Sequence, residues 1–394
     1  MEALILSCGT GGGHNTAGMA IMEELERRGH HAVMINPYTL QGVALARRID
    51  EAYIVTARRT PKAFGTLYNA GELYRKLPFR SPVYFANRGM VSVMERYLAE
   101  HSFDIVIMPH LFPAEILTNM KRLGMEVPKT MFVATDYCCI PFTEETDCDA
   151  YVIPAPELTD DFAGRGIPEE RIYPYGIPVH RSFAEGESQG KVGCREKVKS
   201  QLGLAVDKKY ILIAGGSIGA GQIEKLIGLL LEHKEGNEET ELIVVCGNNR
   251  KLYEKLDKRY GRQIIMIGHT DQMAEYVRAS DLYITKPGGL SSTEAAVSGV
   301  PLLHMPPIPG CETYNARYFL EHGMSRTCEI TEQGAAAVFE LLHQEEVLAA
   351  LVHGQHMYMQ GDAANRICDL AEEFAQGLVG SYNKVHNRPV FYPG

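Results

Sequence analysis

The chain has 394 residues, a length that favours two domains over a single hydrophobic core. Hydrophobic residues make up 45% of it and charged residues 22%, as in an ordinary globular protein, and the net charge of −10 argues against a general nucleic-acid binder. No apolar run approaches the roughly 20 residues that span a bilayer. Nine scattered cysteines, and a first segment patterned like a strand rather than a leader, favour a reduced, cytoplasmic protein.

Apolar strand-like runs alternate with amphipathic stretches along the whole chain, which is the pattern of parallel βαβ units. The runs lie near 3–8, 31–36, 104–108, 130–135 and 150–153 in the first half, and near 210–214, 241–245, 264–267, 282–284 and 301–303 in the second. The pattern predicts an α/β protein of two Rossmann-like, doubly wound domains that face a central cleft. Each domain should present its ligands at the carboxyl ends of its strands.

The domain boundaries follow from the same pattern. We predict an N-terminal domain over residues 1–180, a polar, glycine-bearing hinge over 181–200 and a C-terminal domain over 201–361. Residues 362–394 should hold a helix at about 362–376 and a proline-bearing tail. Because no strand follows this helix, we expect it to return to the first domain.

Three glycine-rich turns follow strands. They are Gly9–His14, Gly215–Gly221 and Lys286–Gly289. None ends in the Gly-Lys-Ser/Thr of a Walker A loop. Glycine lets the backbone approach a ligand closely, and a helix start offers unpaired N–H groups that suit a phosphate. The second and third turns belong to one domain and should converge on one crevice, as a diphosphate requires. A simple strand–helix turn remains the alternative for the first.

The densest group of polar candidate ligands follows the third turn. We expect a helix to open at Ser291, which would put Glu294 in its first turn, where a carboxylate can bind ribose hydroxyls. A second turn at 306–310 then delivers three polar groups suited to sugar hydroxyls. These are Cys311, Glu312 and Asn315. Phosphate, ribose and sugar ligands in one stretch predict a nucleotide-sugar pocket.

Two side chains of the first half are candidate bases. His14 lies at the mouth of a glycine turn and at a helix start, so it should keep a low pKa and act as a neutral base; the alternative is a polar residue bonded to backbone. Asp136 follows the strand near 130–135 and should face the cleft, with a turn cap as the alternative.

We predict neither a metal site nor a cofactor. Three patterns resemble metal ligands but lack the usual spacing, a third ligand or a suitable setting. They are Cys138-Cys139 with Cys148, His353 with His356, and Asp147 with Asp149.

Residues 53–91 are basic and aromatic. Seven cationic side chains and the single carboxylate of Glu72 give this segment a charge of +6 within a chain of −10. The basic residues are Arg58, Arg59, Lys62, Arg75, Lys76, Arg80 and Arg88, and the aromatic residues are Tyr53, Phe64, Tyr68, Tyr74, Phe79, Tyr84 and Phe85. The mixture suits an anionic membrane surface. An ordinary basic helical layer with buried aromatic residues is the alternative.

Six motifs occur in an order that resembles a known family. They are Gly9–Asn15, Thr135-Asp136-Tyr137, Gly176–Val179, Gly215–Ser217, Thr285–Gly289 with Glu294-Ala295, and Pro307–Gly310 with Glu312 and Asn315-Ala316. The chain is similar to the monogalactosyldiacylglycerol synthases and processive diacylglycerol glucosyltransferases, GT-B glycosyltransferases of family 28. The resemblance covers nearly the whole chain. It implies inverting transfer of a hexose from a UDP-sugar to a lipid hydroxyl at the cytosolic face of the membrane.

The resemblance also implies roles for residues. Gly288, Gly289 and Ser217 would hold the diphosphate, Glu294 the ribose, and Glu312 and Asn315 the sugar, with the Gly268–Met273 loop near uracil and His14 by the acceptor hydroxyl. Further donor-side candidates are Gly215, Gly216, Lys286, Leu290, Ser291 and Thr293, and the acceptor loop comprises Gly11, Gly12, Gly13 and Asn15. The segment after Tyr53 matches the part of that family that meets lipid.

Two departures from the family pattern affect this interpretation. The family usually places a histidine and then a tryptophan after Thr-Asp-aromatic, whereas Cys138–Phe142 stands here and the chain has no tryptophan. Cys311 replaces a common glutamine. The first departure concerns the acceptor and the second the sugar. Three other functions stay open: a UDP-sugar 2-epimerase, a polyprenyl-linked N-acetylglucosaminyltransferase of cell-wall synthesis, and a non-catalytic nucleotide-sugar binder.

Overall fold

The computed structural model describes the backbone of residues 1–9, 12–59, 61–77, 79–184, 191–215, 222–234 and 237–378. The description of side chains leaves out residues 52–64, 67 and 191–194. Within these ranges the chain forms two parallel six-stranded sheets with helices on both faces, so the predicted two-unit α/β architecture is confirmed. None of the described helices is both long and apolar enough to cross a bilayer.

The first unit contains six strands and seven helices. The strands are β1 (Glu2–Leu6), β2 (His31–Ile35), β3 (Ile105–Met108), β4 (Lys129–Val133), β5 (Ala150–Val152) and β6 (Ile172–Tyr173). The helices are α1 (Gly12–Arg27), α2 (Val43–Arg59), α3 (Pro61–Tyr74), α4 (Pro82–Arg88), α5 (Val91–Glu100), α6 (Leu111–Arg122) and α7 (Thr159–Gly164). Helices α2 to α5 are all inserted between β2 and β3, which gives this unit a helical layer over 43–100.

The rest of the described chain contains six strands and ten helices. The strands are β7 (Lys209–Ala214), β8 (Thr240–Val245), β9 (Ile265–Ile267), β10 (Leu282–Thr285), β11 (Leu302–His304) and β12 (Ser325–Thr327). The helices are α8 (Arg181–Ala184), α9 (Lys191–Gln201), α10 (Ile223–Glu232), α11 (Arg250–Tyr260), α12 (Met273–Ala279), α13 (Gly289–Val297), α14 (Cys311–Glu321), α15 (Glu332–Leu341), α16 (Glu345–Tyr358) and α17 (Ala363–Ala375). The short edge strands β6 and β12 escaped the sequence pattern, because two or three residues carry too little periodicity.

Strand order places a crevice in each unit. The first sheet runs β2-β1-β3-β4-β5-β6, and its order reverses between β1 and β3. The second runs β12-β11-β10-β7-β8-β9, and its order reverses between β10 and β7, with Ile284 beside Ile213. In open parallel sheets a ligand crevice forms at this reversal, beyond the carboxyl ends of the strands. The glycine turns after β1, β7 and β10 therefore begin at the two crevices.

Buried apolar side chains hold both layers together. The central strands are mostly apolar, as expected where helices cover both faces of a sheet; β3, for example, is Ile-Val-Ile-Met and fully buried. One core cluster crosses between the units, because Ala17 and Tyr137 of the first unit pack with Leu290 and Phe319 of the second. The two units therefore share a continuous apolar contact.

The ends of the predicted hinge differ from the expectation. In the structure α8 contacts α13 and α9 contacts α12, so both helices pack on the second unit rather than forming a linker. Residues 185–190 lie outside the described ranges. Helix α17 packs on α1, β3 and β4 of the first unit, and Arg28 pairs with Asp369 at 2.6 Å and with Glu372 at 3.1 Å.

Candidate active site

A cavity of about 840 Å³ lies between the two units, in the size range of small-molecule sites. The first unit borders it with residues that follow β1 and β4, among them Gly13, His14 and Asp136. The second unit borders it with residues that follow β8, β9 and β10. The cavity therefore joins the two crevices that the strand orders create.

His14 is held by main chain from the neighbouring strand. Its Nδ1 lies 2.7 Å from the carbonyl oxygen of Pro109, just after β3, and 2.9 Å from the hydroxyl oxygen of Thr135. A carbonyl oxygen only accepts hydrogen bonds, so we assign the imidazole proton to Nδ1. Nε2 then carries the lone pair that a general base needs.

The environment of His14 keeps the ring neutral. Burial lowers the pKa of His14, while the negative charge of Asp136 and the carbonyl of Pro109 oppose the shift. The ring of His110 stands edge-on to it, with centroids 4.6 Å apart, and burial also lowers the pKa of His110. A neutral imidazole is the form that accepts a proton at pH 7, as the sequence predicted for His14.

The amino end of α13 supplies the second wall with free N–H groups. Gly288 is the N-cap residue and has no side-chain cap, and Gly288 to Ser291 all line the cavity. The N–H of Gly288 donates to Lys286 O and that of Ser292 to Gly288 O, so among the described residues the N–H groups without a backbone acceptor are those of Gly289, Leu290 and Ser291. Such a helix start attracts an anion. The helix begins at Gly289 rather than at the predicted Ser291.

Gly289 is also a point of contact between the units. A Cβ atom at this position would overlap the carbonyl oxygen of Thr135, and its neighbour Leu290 lies near Gly13. The missing side chain therefore permits close approach of the first unit, in addition to any approach by a ligand.

Glu294 projects into the cavity without a protein partner. It is the sixth residue of α13, so it lies in the second turn and not in the first as predicted. Among the described residues none donates a hydrogen bond to its carboxyl group, and burial raises its pKa to about 8. A protonated carboxyl group both donates and accepts hydrogen bonds, which suits neighbouring hydroxyls such as those of a ribose.

Lys286 and Glu312 form a paired polar wall of the cavity. Lys286 Nζ lies 2.7 Å from Glu312 Oε1, and Glu312 Oε2 accepts from the backbone N–H of Ile308 at 2.9 Å. Glu312 is therefore fixed in place by its own turn, at the position predicted for a sugar ligand. Cys311 lines the cavity beside it.

Asn315 and Thr293 differ from the roles predicted for them. Asn315 is fully buried, and its amide bonds to Tyr137 N, Asp136 Oδ1 and Pro287 O. The hydroxyl of Thr293 donates to Gly289 O at 2.7 Å and bonds the hydroxyl of Tyr137 at 2.7 Å. Neither side chain lines the cavity. Both connect the units, because Tyr137 enters the second unit at this point.

Some of the remaining predicted residues line the cavity, two follow strands of the second unit, and three lie outside the described residues. Gly12 and Asn15 line the cavity, with Asn15 Oδ1 accepting from Ser7 at 2.7 Å, and the 268–273 loop contributes Met273 with its preceding polar residues. Gly215 directly follows β7, and Gly268 directly follows β9. The predictions for Gly11, Gly216 and Ser217 fall outside the described residues.

Asp147 and Asp149 lie at the amino end of β5, whereas the cavity borders the carboxyl ends of the strands. Asp147 pairs with Arg171 at 2.8 Å and Asp149 with Lys121 at 2.9 Å. Backbone and hydroxyl groups of Thr130 also donate to Asp149. These carboxylates stabilise the fold at a distance from the cavity.

The basic and aromatic segment divides into buried and exposed parts. Tyr68, Tyr74 and Tyr84 are half-buried, whereas Leu73, Leu77, Phe79 and Phe85 are exposed by 69, 49, 67 and 57%. Exposed cations accompany them. We call the set of Leu73, Lys76, Leu77, Phe79, Arg80, Phe85 and Arg88 the 73–88 surface. The side chains of Arg58, Arg59 and Lys62 fall outside the described set.

Four residues of the site escaped the sequence analysis. Pro109 and Thr135 hold His14, and Glu23 Oε2 lies 2.8 Å from His180 Nε2 at the border of the cavity. The ends of β3 and β4 were visible in the sequence and could have identified the first two. Nothing local marks the other two, because they are far apart in the chain.

Family models match both units. The model described as monogalactosyldiacylglycerol (MGDG) synthase matches residues 14–179, and the glycosyltransferase family 28 C-terminal domain matches residues 210–366. Together the two matches show that the chain resembles this glycosyltransferase family over most of its length. It is a UDP-sugar-dependent enzyme of the GT-B fold.

The relatives are named glycosyltransferases, and the solved structures share the fold. The chain is 27% identical to a processive diacylglycerol beta-glucosyltransferase of Bacillus licheniformis over 88% of both chains, and 26% identical to that of Bacillus subtilis over 88% of both. Acinetobacter baumannii MurG has a TM-score of 0.60 at 16% identity, covering 94% of this chain and 99% of its own. A Neisseria meningitidis UDP-GlcNAc 2-epimerase bound to UDP-GlcNAc scores 0.63 at 13% identity, covering 95 and 100%.

The two departures from the family pattern meet at one place in the structure. The Tyr68 hydroxyl lies 3.8 Å from Cys138 Sγ, and the thiols of Cys138 and Cys311 are hydrogen-bonded to each other, which contributes with burial to a raised pKa of Cys311. Cys138 belongs to the first unit and Cys311 to the second. The replaced histidine and glutamine positions are thus in contact across the cleft beside Asp136.

Proposed function

We propose that this glycosyltransferase moves a hexose from a UDP-hexose to the hydroxyl of a diacylglycerol-type lipid at the cytosolic surface of the membrane, with inversion to the β configuration. The observation that carries the proposal is the pair of groups across the cavity. His14 offers an unprotonated Nε2 on one wall, and the uncapped amino end of α13 lies on the other. A base opposite an anion site is what displacement of a diphosphate requires.

The reaction follows from this arrangement. The lipid hydroxyl attacks the anomeric carbon as His14 Nε2 takes its proton, while the bond from that carbon to the diphosphate oxygen breaks. Asp136 is the alternative base at the same wall. The N–H groups from Gly289 to Ser291 stabilise the charge that develops on the leaving UDP. Because the helix start and Lys286 supply the positive potential, the proposal requires no metal ion.

The donor takes its position from the second unit. Its diphosphate would bind at the start of α13, the ribose at Glu294, and the uracil near the 268–273 loop. The hexose would meet Glu312, which its turn and Lys286 hold in place. The relatives are named glucosyltransferases, so UDP-glucose is the first donor to test.

The acceptor would reach the cavity from the 73–88 surface, which we propose to contact anionic lipid. Four exposed apolar side chains and three cations stand there, a combination that gains both from apolar burial and from negative lipid charge. Helix α3 connects this surface to the cleft, because Leu73 is exposed near its end while Tyr68 lies beside Cys138.

The test is an assay of UDP release from a panel of UDP-hexoses, with and without diacylglycerol in mixed vesicles. We expect release to require the lipid and the lipid-extracted product to carry a β-linked hexose. Conversion of UDP-N-acetylglucosamine to its epimer without lipid would replace the proposal with an epimerase. Tight UDP binding without turnover on any acceptor would leave a nucleotide-sugar binder.

A further inference from the structure

The side-chain amide of Asn315 is bonded to protein groups and does not line the cavity. It lies on α14 with no exposed surface, and its Oδ1 accepts from Tyr137 N at 2.7 Å. Its Nδ2 donates to Asp136 Oδ1 at 2.8 Å and to Pro287 O at 3.0 Å. Both N–H groups and the carbonyl oxygen of this amide are therefore engaged by protein. Pro287 directly precedes the turn at Gly288 and Gly289, so the amide joins the donor side to the first unit.

The partner segment of Asn315 is also the segment that holds His14. Thr135 bonds His14 Nδ1 at 2.9 Å, and its carbonyl oxygen packs against Gly289. Two residues later, Tyr137 is buried in the second unit, stacked on Tyr318 with ring centroids 4.6 Å apart. The consecutive residues 135–137 thus contact His14, the donor turn and the core of the second unit.

Asp136 is the electrostatic element of this segment. Its negative charge opposes the effect of burial on the pKa of His14, so it makes His14 a stronger base than burial alone would allow. The strength of this effect depends on where the carboxylate stands. Asn315 fixes one of its oxygens from the other unit.

We propose that Asn315 is a positioning residue, which holds Asp136 beside His14 by tying it to the donor turn, and not a contact of the transferred sugar. The assignment rests on the proposed function of His14 as the base. With the two units in contact, as in this structure, the donor turn, Asn315 and Asp136 form one chain of hydrogen bonds. Separation of the units would break this chain and leave His14 a weaker base.

The experiment follows His14 directly, by NMR titration of the labelled full-length protein with UDP bound. In Asn315→Ala we expect the pKa of His14 to fall by about half a unit to one unit, because the freed carboxylate moves away. The acidic limb of kcat/KM should move to lower pH by the same amount, and kcat should fall by about two- to threefold, and by no more than about tenfold, as the base weakens. Affinity for UDP-glucose should stay within about threefold, since no donor contact is lost.

Three further variants make the result specific. Asp136→Asn should shift the His14 titration in the same direction, and the double variant Asn315→Ala with Asp136→Asn should shift it no further than Asp136→Asn alone. Gln355→Ala removes another fully buried amide of the second unit, which donates to Val300 O at 2.9 Å and Met324 O at 3.1 Å. It should lower the melting temperature but leave the His14 titration unchanged.

A sugar contact would give a different pattern. Affinity for UDP-glucose would fall tenfold or more in Asn315→Ala while affinity for UDP and the His14 titration stayed constant, and that result would overturn the proposal. If Asn315→Ala does not fold, Asn315→Ser takes its place. The titration and the UDP affinity are readable without turnover, so a wild-type protein that transfers no hexose would refute the proposed function but not this positioning role.

Discussion

Two helix starts face the same cavity, and they differ in the side chains that they carry. Helix α1 begins at Gly12 after β1, and α13 begins at Gly289 after β10, each at the point where the strand order of its sheet reverses. The third residue of α1 is His14, whose ring is fixed by main chain from β3. The first turn of α13 carries no ionisable side chain, and Glu294 follows only in the second.

This difference shows how two similar helix starts can have different functions. The start of α13 can bind the donor, and the start of α1 can carry the catalytic base. A helix start with free N–H groups attracts negative charge wherever it occurs. On α13 nothing competes with that attraction, so the wall suits a diphosphate. On α1 a neutral imidazole takes the place next to the cavity, so the wall suits a hydroxyl that must lose a proton.

Among the variants that test this difference between the two helix starts, replacement of His14 should have the largest effect, and it should be on kcat. His14→Ala removes the base but no donor contact, so kcat should fall by about 10²- to 10⁴-fold while the Kd of UDP-glucose stays within about twofold. Steady-state kinetics and calorimetry measure the two quantities. His353→Ala, an exposed histidine of α16, is the matched control. Unchanged turnover in His14→Ala would remove this residue from the mechanism and leave Asp136 as the base.

Replacing Glu294 should give the second-largest effect, and on binding rather than on chemistry. Glu294→Ala removes a cavity-facing carboxyl group that could bond two hydroxyls, so the Kd of UDP should rise about 10- to 100-fold. Calorimetry with UDP and with uracil gives the measurement. Glu294→Gln keeps one donor and one acceptor and should weaken binding by only a few-fold. An unaltered Kd in Glu294→Ala would refute the ribose contact.

The smallest effect should come from the 73–88 surface, and it should be confined to lipid. The double variant Phe79→Ser with Phe85→Ser removes two exposed aromatic side chains. Its binding to vesicles with anionic lipid should weaken about tenfold. Vesicle sedimentation measures it, and the Kd of UDP should not change. Leu320→Ser, which removes an apolar side chain of the second unit exposed by 54%, is the control. Equal losses for both variants would argue against a specific lipid surface.

Local pattern predicted most of the architecture and placed candidate residues on both walls of the cavity. Ten of the twelve described strands, the three glycine turns and the candidate base His14 were recognisable, because apolar periodicity and turn chemistry are properties of neighbouring residues. The start of α13 was placed two residues late, since Gly288 caps it without the polar side chain that usually marks a helix start. Glu294 was predicted as a ribose ligand and lines the cavity, but it was assigned to the wrong turn for the same reason.

The sequence by itself determined that two Rossmann-like units meet and that a histidine and an uncapped helix start follow their strands. Only the tertiary structure decided which polar residues face the ligand and which join the units. Asn315 and Thr293 stand among ligand-like neighbours in the chain, yet Asp136 and Tyr137 of the other unit take up their hydrogen bonds. Contacts between residues more than 150 positions apart leave no periodic trace in a single sequence, because each partner satisfies its local pattern equally well without the other.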